Sequence, residues 1–499
     1  MASPQLDVYL PPSMAYFTKR LASGMTLNTI KVTNLSNTTA ACGDTLRVRF
    51  PNNAIIDMSS FTMYALATTS GNYTVLPKLT QSLIAQVRIN INGQTICGGS
   101  LNDYGVLYNI GQRCQQDYSK TKMLEIIHSG LDVQVPTAVT SEQIAVDDWF
   151  GFLGALPHFI HTGMIGEFII EIVLASNLVL PASTKSVASA LALSNIYFTI
   201  QQLQFDSDIY SKMIETRLLS GDTLEIAYND AYSFFRPASK TIEAQVSARA
   251  ITKVFVVPRV NATTRTYTST NFPVLGVGQY HLFDIGYGID ACDATLAAED
   301  TAADLYVDGF HTETNSMQWS VDNRLIPANP ATMTECYQML IDCFGDRAST
   351  MASNSLLQQP YVPVTWSTVF PIPASGATAR HVIIGTGATV SAGAEYTITN
   401  ATTMAEAFPS NMYIQRYLPP EYIFMRKNCI FALNLELNES GDQRLISGFD
   451  SIGKNCVIRC DLTGVIKGAT LSANVDLLMF VLVKKVLKIR AGQQIMVDI

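Results

Sequence analysis

Short runs of alternating apolar and polar residues, each bounded by Asn, Gly, Ser or Pro, dominate the chain and read as strands. The first set covers 28–35, 44–50, 62–68 and 85–96, and strands resume at 167–175 and 195–205. The pattern restarts at 223–235, 242–257, 429–437, 455–461 and 475–489. In VRININGQTI the side chains of Val87, Ile89 and Ile91 alternate with polar ones and run into Asn92-Gly93, a hairpin-turn pair. Residues 103–117 break this rhythm. Tyr104, Leu107, Tyr108 and Cys114 recur at helical spacing, with Asp103 as N-cap. The stretch 208–222 reads as a short connecting helix.

The chain repeats itself. Residues 87–96 align without a gap on MQWSVDNRLI at 317–326, an offset of 230. Val87, Ile89 and Ile91 fall on Met317, Trp319 and Val321, and Asn92-Gly93 falls on Asp322-Asn323. A helical segment follows each copy. In the second, 332–346, Tyr337 and Leu340 match Tyr104 and Leu107 after a three-residue shift, and Cys336 and Cys343 share a core-facing stripe. Each copy later closes on a long apolar strand, 195–205 and 475–489. Strand, turn, helix and closing strand in the same order twice indicate two similar domains in tandem.

Composition narrows the class. The 499 residues are 48% hydrophobic and only 15% charged, against about 25% charged in an average soluble protein. Such a chain fills large cores and suits a surface packed against partners. A net charge of −8 argues against coating nucleic acid by bulk attraction. No run of about 18 apolar residues suggests a membrane span; the most apolar run, 477–483, stops at Lys484 and Lys485. Nine scattered cysteines without a CxxC pair fit reduced thiols in an intracellular compartment.

Enzyme-like strings fail on context. Gly448 to Lys454 fits GxxxxGK, but Asn455 replaces the Ser/Thr that would hold Mg²⁺, and a strand pattern follows where a helix is required. His158 and His161 stand close enough to share a metal on a turn, yet no third ligand stands at a zinc-like spacing. There is no GxSxG, and the Gly-rich 384–393 reads as a flexible loop. The basic cluster Lys484, Lys485, Lys488 and Arg490, alternating with Val486, Leu487 and Ile489, reads as the solvent or interface edge of a sheet. Between 284 and 308 lie seven acidic residues and no basic one, in a stretch read as a solvated loop; the DxDxDG spacing of a calcium loop is absent. No catalytic, cofactor-binding or metal-binding residue is therefore assigned, and no cofactor is expected.

Four segments carry a resemblance: ININGQTICGGSLNDYGVLYNI (89–110), FDSDIYSKMIETRLLSGDTLEIAY (205–228), SGFDSIGKNCVIRCDLTG (447–464) and VDLLMFVLVKKVLKIRAGQQIMV (475–497). With the repeat, they resemble the double-jelly-roll major capsid proteins of tailless icosahedral DNA viruses; the last two are most similar to the virophage and polinton-like versions. The resemblance implies an all-β fold of two tandem jelly rolls, each an eight-stranded antiparallel sandwich closing its own core, with short flanking helices. It divides the chain into an N-terminal arm (1–25), jelly roll 1 (26–207), a linker (208–222) and jelly roll 2 (223–499), with long outward loops at about 261–315 and 347–412. It implies a non-enzymatic major capsid protein of the virion, forming homotrimers of pseudo-hexagonal outline that contact neighbouring capsomers and tile the shell. Penton and minor capsid proteins would be separate, with no sequence-specific nucleic-acid binding. The rival reading is a carbohydrate-binding or glycan-cleaving β-sandwich, opposed by the presence of only three tryptophans for sugar platforms: Trp149, Trp319 and Trp366.

Overall fold

The computed structural model describes residues 25–41, 43–69, 80–115, 142–155, 157–174, 191–205, 216, 219–221, 223–237, 239–260, 316–344, 362–363, 379–382, 395–398, 413–414, 430–436, 447–463, 465–466, 469–470 and 475–498. The arm, most of the linker and the acidic stretch 261–315 lie outside them.

The first half holds β1 (Met25–Asn34), β2 (Thr45–Arg49), β3 (Ile55–Thr69), β4 (Ile84–Ile91), β5 (Gln94–Cys97), α1 (Tyr104–Gln115), β6 (Glu142–Val146), β7 (Phe168–Leu174) and β8 (Leu191–Phe205). The second holds β9 (Leu224–Arg236), β10 (Thr241–Ala244), β11 (Ile251–Val260), β12 (Ser316–Val321), β13 (Arg324–Thr332), α2 (Met333–Phe344), β14 (Phe431–Asn434), β15 (Ile458–Thr463) and β16 (Val475–Arg490), with β17 (Gln494–Asp498) folded back on β16. In the first half the strand orders are β1-β8-β3-β6 and β2-β7-β4-β5, joined where Thr33 and Asn34 of β1 meet Arg49 and Val48 of β2. In the second they are β9-β16-β11-β14 and β10-β15-β12-β13. Strand n of one half thus stands where strand n+8 stands in the other. Two four-stranded antiparallel sheets in this order make a jelly roll, and the chain makes it twice.

Alternation drives this layering. In β7, Phe168, Ile170, Ile172 and Leu174 are buried while the residues between them are half-exposed. In the second roll β12, the counterpart of β4, buries Met317, Trp319 and Val321. Both repeat hairpins turn through left-handed pairs: Asn92 (φ 49°) with Gly93 (φ 77°), and Asp322 (φ 49°) with Asn323 (φ 63°). This is the turn that suits the twist of a two-residue hairpin.

Several expectations need correction. The single strand read at 242–257 is two strands in different sheets. Val246, Ala248 and Ala250 continue the buried alternation through the crossover, so the pattern did not reveal the break. The helices begin at Tyr104 and Met333 and end at Gln115 and Phe344, a constant offset of 229, so the three-residue shift is absent from the backbone. Helical periodicity lets side chains three or four places apart share a face, which produced the apparent match. The loop read at 347–412 contains paired strands, Ala379–Val382 with Glu395–Ile398, and Val362–Pro363 pairs with Tyr413–Ile414.

Every strand pair among the described residues lies within 25–205 or within 224–498. The buried apolar residues nevertheless join into one set across the contact between the halves. Each roll was expected to close its own core; beyond this, β9, an edge strand of the second roll, packs Tyr228 edge-on against Phe152 of the first, with ring centroids 5.2 Å apart.

Candidate functional site

With no catalytic constellation expected, the seam between the rolls is the most built polar site among the described residues. The segment leaving β5 runs along the edge of β9. Tyr228 Oη donates to Ile96 O (2.7 Å), Gly98 N to Asp230 Oδ1 (3.0 Å), Asn102 N to Ser233 Oγ (2.8 Å) and Ser233 N to Ser100 O (3.1 Å). An edge strand is thereby covered instead of being left to pair with another molecule.

Asp230 is the hub. Its Oδ1 accepts from Gly98 N, from its neighbour Ala231 N (2.9 Å) and from the Cys97 thiol (3.5 Å). Its Oδ2 takes Lys485 Nζ at 2.7 Å, with side chains only 5% and 10% exposed. Strand register brings this about: Tyr228 lies opposite Lys485 and Asp230 opposite Val483, so all four share one face of the sheet. Lys485 is therefore not on a solvent edge, as the basic cluster suggested. It is in phase with Val483, Leu487 and Ile489, the buried side of β16. The other cations do face outward: Lys484 pairs with Glu436, Lys488 lies 3.2 Å from Asp498, and Arg490 is exposed.

A thiol, a carboxylate and an amine within reach of one another invite a catalytic reading, and their protonation refuses it. Burial, then the Asp230 charge, push the Cys97 thiol well above its ordinary value, so it stays neutral and donates. Burial pulls the Lys485 ammonium down, but the Asp230 carboxylate more than offsets this and holds it above the ordinary lysine value. Neither group is a nucleophile. The cluster is a clamp.

Two glycines let the covering segment pack down on roll 1 itself. Gly98 has φ 74°, and a Cβ there would sit 1.7 Å from Val87 O; one at Gly151 would meet Cys97 Sγ at 2.9 Å. A second tie lies at the C-terminal hairpin, where Gln493 Nε2 donates to Gly163 O (3.0 Å) and Asn92 Nδ2 to Gln493 O (3.3 Å). Asn92 Oδ1 also accepts from Glu167 N, so the repeat's first turn is stitched into the seam. At Gly151 and Asn229 opens a cleft of about 310 Å³, lined also by Leu107, Tyr108, Trp149, Lys253, Phe255 and Leu482 among others. Lys253 donates to Cys343 O at the end of α2, where a cation suits the helix dipole.

The other sequence candidates fall elsewhere. The GxxxxGK-like string turns directly into β15, with no helix following. Its Ser451 is buried, donates to Val246 O (2.6 Å) and accepts from Ala248 N (3.0 Å), a staple within roll 2. His158 precedes and His161 ends a short strand, Phe159–His161, rather than sharing a turn; an extended backbone sends residues three apart to opposite faces. Burial lowers the His161 pKa. Among the described residues no group of three or more His, Cys, Asp or Glu stands in metal-binding proximity, and no helix is long and apolar enough to cross a membrane. Asp103 precedes α1 with φ 57°, and its carbonyl accepts from Val106 and Leu107. Trp149 and Trp319 are core residues, Trp149 Nε1 donating to Phe61 O (2.8 Å), so neither is a sugar platform; Trp366 and the loop 384–393 lie outside the described residues. Cys97, Cys336, Cys343, Cys456 and Cys460 are buried and free of disulfides.

The strand order, met twice and clamped at one seam, defines a double-jelly-roll protein. No protein-family model and no curated protein sequence matches the chain. Among solved structures it is similar to the PBCV-1 virus capsid quasi-atomic model, at TM-score 0.54 and 10% identity over 96% of this chain and 98% of that one. It is likewise similar to PBCV-1 VP54 as fitted into a reconstruction of the virophage Sputnik, at TM-score 0.53 and 9% identity over 96% and 98%. Mavirus major capsid protein aligns at TM-score 0.44 and 10% identity over 100% and 97%. The chain has the double-jelly-roll fold of the PBCV-1 capsid protein.

Proposed function

We propose that the chain is a non-enzymatic major capsid protein of an icosahedral virion. Jelly roll 1 spans 26–207 and jelly roll 2 spans 223–499, after an arm at 1–25 and a linker at 208–222. Three copies form a capsomer of six rolls whose nearly six-sided outline tiles a hexagonal lattice, beside separate penton and minor capsid proteins. The observation that carries this reading is the same eight-strand order twice in one chain, held by a buried clamp. A fused, rigidly oriented pair is the unit that three-fold assembly turns into a pseudo-hexagon. Jelly rolls also serve unrelated functions, and the clamp supports this reading: the buried Asp230, Lys485 and Cys97 cluster is protonated for holding, not for chemistry.

Light-scattering mass of the purified protein tests it. A trimer or larger shells, with six-sided particles in electron micrographs, is expected. A monomer that binds glycan would overturn it.

A further inference from the structure

The in-chain seam pairs the segment 96–102 of roll 1 with the edge strand β9 of roll 2. Each chain also carries the two matching surfaces, which no described residue of the other roll covers. The offset of 230 that superposes the repeat hairpins carries 96–102 onto 326–332, which likewise leaves its hairpin and enters its helix. That stretch is mostly exposed, and Leu325 beside it is 54% exposed. On roll 1, the counterpart of β9 is β1. From Met25 to Val32 it pairs with β8 alone among the described residues. Leu27 lies opposite Leu203, with Phe205 two residues further on the same face; Leu27 is 51% and Phe205 36% exposed. An unpaired edge beside exposed apolar residues marks a surface for another chain.

We infer that residues 326–332 of one copy cover the β1 edge of the next, repeating between chains the seam made within each. This rests on the capsomer reading and names its contact. The contact is head-to-tail, so it closes only as a ring; three chains alternate three in-chain seams with three between chains. The two kinds differ chemically. β1 has no acidic residue to stand where Asp230 does, and Pro327 and Pro330 lack the N–H groups that a strand edge uses. The seam between chains therefore lacks the buried ion pair and separates first.

A cysteine pair tests the contact: Thr29→Cys with Ala328→Cys, the latter at the offset position of Gly98, in the full chain under mild oxidation. Reducible bands at two and three chain masses, absent from each single variant, are expected. A light-scattering trimer that does not cross-link, or a link within one chain, overturns the contact but leaves the capsomer. Reaction only after removal of residues 1–24 shows that the chain's own first segment holds the edge, and overturns it too. A monomer throughout sinks both readings. Leu27→Asp provides a second measurement, because a half-exposed side chain is not needed for folding. Association should weaken at least about tenfold with unchanged monomer melting, and wild-type association would place the contact elsewhere.

Discussion

β9 and β1 occupy the same place in their rolls, and only β9 is covered by described residues of the chain. On β9 a buried carboxylate collects a lysine, two backbone amides and a thiol, and a glycine seats the covering segment against Val87 of its own roll. On β1 the comparable surface carries Lys31, which lies over the Tyr197 ring at 4.7 Å, and exposed leucine. Equal topology thus gives unequal permanence. Strand order decides where two rolls can meet, and a handful of polar and glycine positions decide whether they can part.

The largest effect expected is at the hub. Asp230→Ala removes the partner of a buried ammonium and orphans two amides, at a cost of roughly 3–5 kcal/mol for breaking one side of a buried pair. Chemical denaturation should show this as a lowered midpoint, or as two transitions where wild type shows one. Replacing both partners, Asp230→Leu with Lys485→Met, should recover much of the loss, because no charge is left buried. The sign with pH follows from the raised lysine value. The clamp's contribution is full below the ordinary lysine pKa of 10.5 and disappears as pH rises through the higher folded value. The gap between wild type and the double variant should therefore close only in strong alkali. A gap unchanged there would mean that the ion pair is not what holds the seam.

Gly98→Ala comes next. It forces a side chain into a left-handed position and against Val87 O, costing roughly 2–4 kcal/mol as strain and overpacking together. Because the clash is with roll 1 itself, the hub should loosen with it, read as faster amide exchange at 98 and 231. Ser451→Ala is the control away from the seam. It leaves buried Ala248 N without its acceptor, a loss of about 1–2 kcal/mol, and should lower the stability of roll 2 while leaving exchange at Gly98 unchanged.

Much of the frame was legible. The alternation in 167–175 and the Asn92-Gly93 turn each specify a local geometry that tertiary packing does not override, and the 230 offset carried one hairpin onto the other. The hub was not legible. Asp230 and Lys485 stand 255 residues apart, and the register between β9 and β16 is what brings them to one face. Period-2 counting from Val483 would have placed Lys485 with Leu487 on the buried face, but charge composition drew all four cations to one edge. The crossover at 245–250 was hidden for the opposite reason: Val246 and Ala248 keep a strand's alternation without a strand's ladder.

The smallest effect separates the two helices that follow the repeat hairpins. α2 opens with a capping box: Glu335 Oε2 accepts from Thr332 N (2.7 Å) and Thr332 Oγ1 (3.0 Å), and Glu335 N donates back to Thr332 Oγ1 (3.4 Å). α1 has no acidic residue in its first turn. The Thr332 amide, then its hydroxyl, hold the Glu335 carboxyl below its ordinary value. A depressed carboxylate contributes stability above its unfolded pKa and loses it as pH falls through the folded one. Glu335→Gln should therefore melt slightly below wild type at neutral pH and converge with it in acid. The covering segment 326–332 ends at this cap, so the variant should also fray the proposed contact between chains before the in-chain seam. Trimer dissociation that shifts with acid in wild type but not in Glu335→Gln would link the cap to assembly. Identical dissociation curves would confine it to the helix.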